Sequence, residues 1–161
     1  MSDRRLLLLI AALCHPALPL ARASDVALKA EEIRIRDPFI LADSARQTYF
    51  MYAQSANREG HRFIGVEAYA SKDLVNWLPA KPVLELPDDA GISMVWAPEV
   101  HAHEGRFYLF VTLTRDRTLP GEKPVPDKNW PPMYARGTHI FRADSPLGPF
   151  KPLKIAPHTP E

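Results

Sequence analysis

The chain has 161 residues, 46% of them hydrophobic and 24% charged, with a formal net charge of +1. Near-neutrality without a basic run excludes the electrostatic footprint of a nucleic-acid binder or of a protein held on an anionic membrane. The one cysteine, Cys14, lies in an apolar N-terminal stretch, which leaves the rest of the chain without a thiol, a disulfide or a cysteine metal ligand.

The N-terminal stretch differs in kind from the remainder of the chain. Arg4 and Arg5 precede an apolar run from Leu6 to Leu13, and Ala21-Arg22-Ala23 places small residues before Ser24. This pattern predicts a secretory signal peptide over residues 1–23, with an apolar run too short to span a bilayer. Its removal leaves 138 residues with 17 basic and 18 acidic side chains, so the formal charge becomes −1. The product is expected to be secreted or periplasmic, unattached to membrane after cleavage, and stabilised by its core alone.

Residues 24–32 read as a polar lead-in. Beyond them, β-branched and aromatic runs alternate with Pro, Gly and Asp, and helix-period patterning is weak, so the expected fold is all-β. Strands are predicted over 37–43, 48–53, 63–71 and 77–84, with Pro38 restricting Asp37 to extended geometry. Polar residues 54–62 connect the second strand to the third. A second set opens at Trp96-Ala97-Pro98-Glu99-Val100-His101 and continues through Arg106-Phe107-Tyr108-Leu109-Phe110. Residues 115–135 then hold five prolines together with Trp130, Met133 and Tyr134. A loop of that length and composition points to a semi-rigid element beside a binding surface.

The two sets are copies. Arg36-Asp37-Pro38-Phe39 and Trp96-Ala97-Pro98-Glu99 open them about sixty residues apart, and Ser71-Lys72-Asp73-Leu74-Val75-Asn76-Trp77 answers Asp144-Ser145-Pro146-Leu147-Gly148-Pro149-Phe150 near their ends. Trp77 and Phe150 fall at equivalent positions and are assigned to packing. A period near sixty with several short strands per copy marks a propeller-like repeat, with blade one at about 33–86 and blade two at about 92–153. At these four motifs, spread over residues 36–150, the chain resembles glycoside hydrolase family 43, whose members hydrolyse arabinose- and xylose-containing plant polysaccharides on a five-bladed β-propeller.

The resemblance implies that residues 24–161 supply blades one and two and the start of blade three, since five such blades need roughly 300 residues. The chain is therefore expected to be the N-terminal part of a longer protein or a truncated gene product. Two blades alone are expected to leave sheet edges and an apolar face open.

Inverting glycoside hydrolysis needs a carboxylate base on one side of the sugar and a carboxylic acid on the other, about 6.5–9.5 Å apart. The family's Arg-Asp-Pro pattern, matched at Arg36-Asp37-Pro38, implies that Asp37 is the general base. The family's pKa-tuning aspartate and acid glutamate belong to blades three and four, so the isolated fragment is expected to be inactive. Trp96 and Phe39 flank the inner-strand carboxylates and are candidate sugar contacts, because sugar C–H groups pack on aromatic faces. Glu99 is a candidate substrate contact rather than the acid, and His139 could reach the channel from the next strand.

Glu99, His101 and His103 alternate, but same-face neighbours lie about 6.6 Å apart and the outer pair about 13 Å, too far to grip one ion together. No metal or other cofactor is expected from these residues; the family's channel ion, a structural calcium in the complete propeller, would take ligands beyond this chain. Nucleotide and phosphate-loop fingerprints are missing. The expected partner is an oligo- or polysaccharide. A non-catalytic glycan-binding propeller and an inactive truncated fragment remain open as alternatives.

Overall fold

The computed structural model describes residues 27–55, 63–118 and 134–153. The expected signal peptide, most of the polar connection and the centre of the proline-rich stretch, Trp130 included, lie outside the described residues. Among the described residues no helix is long and apolar enough to cross a membrane.

These residues form two antiparallel sheets. The first contains β1 (Leu28–Lys29), β2 (Phe39–Asp43), β3 (Thr48–Gln54), β4 (Ile64–Ser71) and β5 (Asn76–Leu86), in the order β1-β5-β4-β3-β2. The second contains β6 (Ile92–His103), β7 (Arg106–Thr118), β8 (Tyr134–Ala143) and β9 (Lys151–Pro152), in sequence order. Period-2 alternation decides which face of each is buried. Phe50, Tyr52 and Val66 of the first sheet meet Val100, Leu109 and Phe141 of the second in one continuous core. Burying a side chain of this size stabilises by about 1.5–3 kcal/mol, so the two sheets hold each other.

Two boundaries differ from the sequence reading. Leu28–Lys29 pairs with Trp77 and Asn76, Ala30–Glu32 makes a single 3-10 turn, and Ile33 and Ile35 cover Met51, Tyr69 and Trp77 in a second, smaller cluster. The lead-in is thus a cover for the outer face of the first sheet; its apolar residues follow that face rather than any local period, which is why the pattern missed them. The proline-rich loop is shorter at both ends than 115–135, because β7 runs to Thr118 and Tyr134 pairs with it from β8. A ladder slip between Thr114 and Thr118 lets the β-branched run continue.

The closing motif of each copy works through its turn. Asp73 Oδ1 accepts the backbone N–H groups of Val75 at 2.9 Å and Asn76 at 2.8 Å, and Oδ2 accepts Asn76 Nδ2 at 2.7 Å. These bonds, the Asn76 N–H foremost, hold the Asp73 carboxyl well below the usual carboxylate range. Because the folded pKa is depressed, the stabilisation is present above the unfolded value near 3.9 and is lost as pH falls through the folded value. Asp73→Ala is expected to lower the melting temperature at neutral pH, with the gap to wild type narrowing below about pH 4. A gap that stayed constant into strong acid would show that the charge plays no part.

In the second copy the same stretch ties one sheet to the other. Tyr52 donates its hydroxyl to the Pro146 carbonyl at 2.7 Å, and the Phe150 N–H donates to the Val83 carbonyl at 2.8 Å. The Phe150 ring meets Tyr52 edge-on with centroids 6.4 Å apart. Trp77 and Phe150 are both buried, as packing residues.

Candidate active site

Both copies of the repeat carry the same backbone device. Asp37 and Ala97 each precede a proline and each is left-handed, with φ of 49° and 46°. Asp37 is therefore not in the extended geometry that the following proline favours, and β2 begins at Phe39 instead of residue 37. A left-handed non-glycine residue costs about 1–2 kcal/mol. Backbone strain of this kind persists where the surroundings over-determine it, often at functional sites. Here the two strained residues line one open cleft of about 700 Å³.

The cleft is walled from four directions. Arg36 and Asp37 come from the segment before β2, Gln54 from the end of β3, Asp88 from the β5–β6 loop, and Ser93 and Trp96 from β6. The Asp37 carboxylate is 60% exposed, with Arg36 Nε 3.5 Å from Oδ2. An ion pair this exposed adds little stability and leaves the carboxylate accessible to water. Acid, amide, hydroxyl and an aromatic face around one open space suit a polyhydroxylated ligand.

Trp96 owes its position to an irregularity in β6. Trp96 pairs with Thr112 and Glu99 with Phe110, so three steps along β6 match two along β7. That bulge, at Ala97 and Pro98, reverses parity and puts Trp96 on the same face as Glu99. Two strands away on β8, Arg136 lays its guanidinium over the indole, with Cζ 4.6 Å from the ring centroid.

The remaining sequence candidates go elsewhere. Glu99 and His101 lie 3.4 Å apart (Oε2 to Nε2) and, with His103 and Tyr108, line a separate recess on the second sheet. The His101 ring sits between Phe39 and Phe110, at centroid distances of 5.3 and 5.7 Å. Phe39 pairs with Tyr52 and packs against the shared core, so it supports the inter-sheet contact and does not line the cleft. His139 pairs with buried Val111, on the core-facing side of β8, and does not line the cleft either. His103 Nε2 turns to Glu104, 3.7 Å away, and among the described residues no cluster of three or more His, Cys, Asp or Glu could hold a metal ion. The sequence reading passed over Gln54, Asp88 and Ser93, which line the cleft, and Arg136, which covers Trp96. Asp88 sits in an ordinary Pro-Asp-Asp turn, and nothing local distinguishes it.

The family model of glycosyl hydrolases family 43 matches residues 32–159. The chain belongs to glycosyl hydrolase family 43. It is similar to the endo-arabinase of Bacteroides thetaiotaomicron, at 31% identity and a TM-score of 0.60, over 84% of this chain and 40% of that one. A thermostable family-43 glycoside hydrolase is 26% identical with a TM-score of 0.51, over 74% of this chain and 32% of that one. An exo-β-1,3-galactanase from Phanerochaete chrysosporium, at 17% identity and a TM-score of 0.55 over 80% of this chain and 28% of that one, shares the fold. No curated protein matches in sequence. Family 43 neighbours are five-bladed β-propellers, so the two sheets are adjacent blades, and this family 43 chain spans about two fifths or less of their length.

Proposed function

We propose that the protein to which these blades belong is a secreted, inverting glycoside hydrolase of arabinofuranosyl or xylosyl linkages, with Asp37 as general base. The observation that carries this is Asp37 itself: the family's motif carboxylate, exposed in a cleft that it shares with the half-buried Trp96. Asp37 would take a proton from the water that attacks the anomeric carbon, while an acid from another blade protonates the departing oxygen. Trp96 would pack against the sugar's C–H surface. Arabinofuranosyl substrates stand first, because the 31%-identical neighbour is an endo-arabinase and the β-xylosidase neighbour is 14% identical.

The test is the stereochemistry of the first product. Proton NMR during hydrolysis of linear 1,5-α-arabinan by the full-length protein should show the inverted anomer before mutarotation. First release of the retained anomer would overturn the base assignment. The export part of the proposal has its own test. N-terminal sequencing of the protein recovered outside the cytoplasm of a secreting bacterial host should begin at Ser24, and intact Met1 on a cytoplasmic product would overturn it.

A further inference from the structure

Trp96 does not stand alone in the cleft wall. β7 separates it from Arg136, and the residues that β7 presents between them are small: Trp96 pairs with Thr112, and Arg136 pairs with Thr114. The guanidinium therefore reaches across a floor of threonines to cover one face of the indole at 4.6 Å. Its Nε donates to the Tyr134 carbonyl at 3.4 Å, and among the described residues it meets no carboxylate. Arg136 does not line the cleft itself. Trp96, by contrast, is half-buried and lines the cleft that Asp37 shares.

We infer that Arg136 is a positioning residue for Trp96, fixing the indole plane so that only one face or edge is offered to a neutral sugar. This rests on the reading of the cleft as a glycoside-binding site. A planar cation over an indole favours one stacked arrangement, and a free tryptophan would sample several rotamers. Covering one ring face also limits sugar stacking to a single side of the residue. Lysine keeps the charge but lacks the flat fork, so it should reproduce only part of the effect.

Two measurements on the full-length protein test this. The first needs no ligand: acrylamide quenching of the fluorescence that is lost in Trp96→Phe. Arg136→Met should raise the quenching of that component, and Arg136→Lys should raise it less; equal quenching in all three proteins would overturn the inference. The second is a double-mutant cycle on 1,5-α-arabinopentaose with Arg136→Met and Trp96→Ala. Arg136→Met should raise KM by about 3- to 10-fold, with the loss falling on KM more than on kcat, and should add nothing once Trp96 is alanine. An undiminished rise in KM in the Trp96→Ala background would overturn it, because Arg136 would then act on the sugar directly. If the unaltered protein neither binds nor cleaves arabinopentaose, the glycosidase reading of the cleft fails, and the quenching series alone decides the positioning role.

Discussion

Asp37→Asn in the full-length protein is expected to lower hydrolysis of an aryl arabinofuranoside or of arabinan by about 10²- to 10⁴-fold, the usual worth of a general base. The structure makes Asn the right substitution for more than its shape. Asp37 has a φ of 49°, a region that Asn accepts more readily than almost any other non-glycine residue. The variant therefore removes the proton acceptor without adding backbone strain. Because the carboxylate is 60% exposed and its ion pair with Arg36 is open to solvent, the melting temperature should barely move. Asp37→Ala, in contrast, should lose activity and some stability together. Near-normal turnover in a well-folded Asp37→Asn protein would remove Asp37 from the mechanism.

Local pattern was enough for the blades, and it failed where the backbone leaves regular geometry; Asp37 stood out only through the family's Arg-Asp-Pro motif. The β-branched and aromatic runs placed β2 to β5 within about two residues at either end, and the repeat paired Trp77 with Phe150, both of which are buried. Phe39 does not line the cleft, for a physical reason. It lies beside Asp37 in sequence, but Asp37 stands outside the strand in a left-handed kink, so proximity along the chain does not carry across Pro38. The same device misleads in β6, where the bulge at Ala97 and Pro98 makes Trp96 and Glu99 share a face although they are three apart. Arg136 and Asp88 were illegible for other reasons, since Arg136 meets Trp96 only through the pairing of β7 with both their strands, and Asp88 sits in an ordinary turn of the β5–β6 loop. The Asp-Ser-Pro-Leu-Gly-Pro-Phe motif was recognised as a repeat, yet its work, docking one blade on the other, is visible only in its partners Tyr52 and Val83.

Gly148→Ala is expected to cost this structure heavily for a single added methyl group, and to do so at the contact between the blades. Gly148 has a φ of +67°, and a Cβ there would lie 2.6 Å from the Val83 carbonyl oxygen and 3.2 Å from the Val83 Cα. Those are backbone atoms of the neighbouring blade and cannot rotate aside. Relief requires residues 146–150 to back away from blade one, which strains the Phe150-to-Val83 and Tyr52-to-Pro146 hydrogen bonds and uncovers a Phe150 ring that is 4% exposed. Left-handed alanine costs about 1–2 kcal/mol, and each weakened hydrogen bond about 1 more, so a loss of roughly 3 kcal/mol or greater is expected in a denaturant melt. Gly105→Ala supplies the control, because its φ is +74° but nothing lies within 4 Å of the added atom. That variant should lose only the left-handed term, about 1–2 kcal/mol. The difference between the two isolates the inter-blade clash, and finding Gly148→Ala no worse than Gly105→Ala would mean that the closing motif does not hold the blades together.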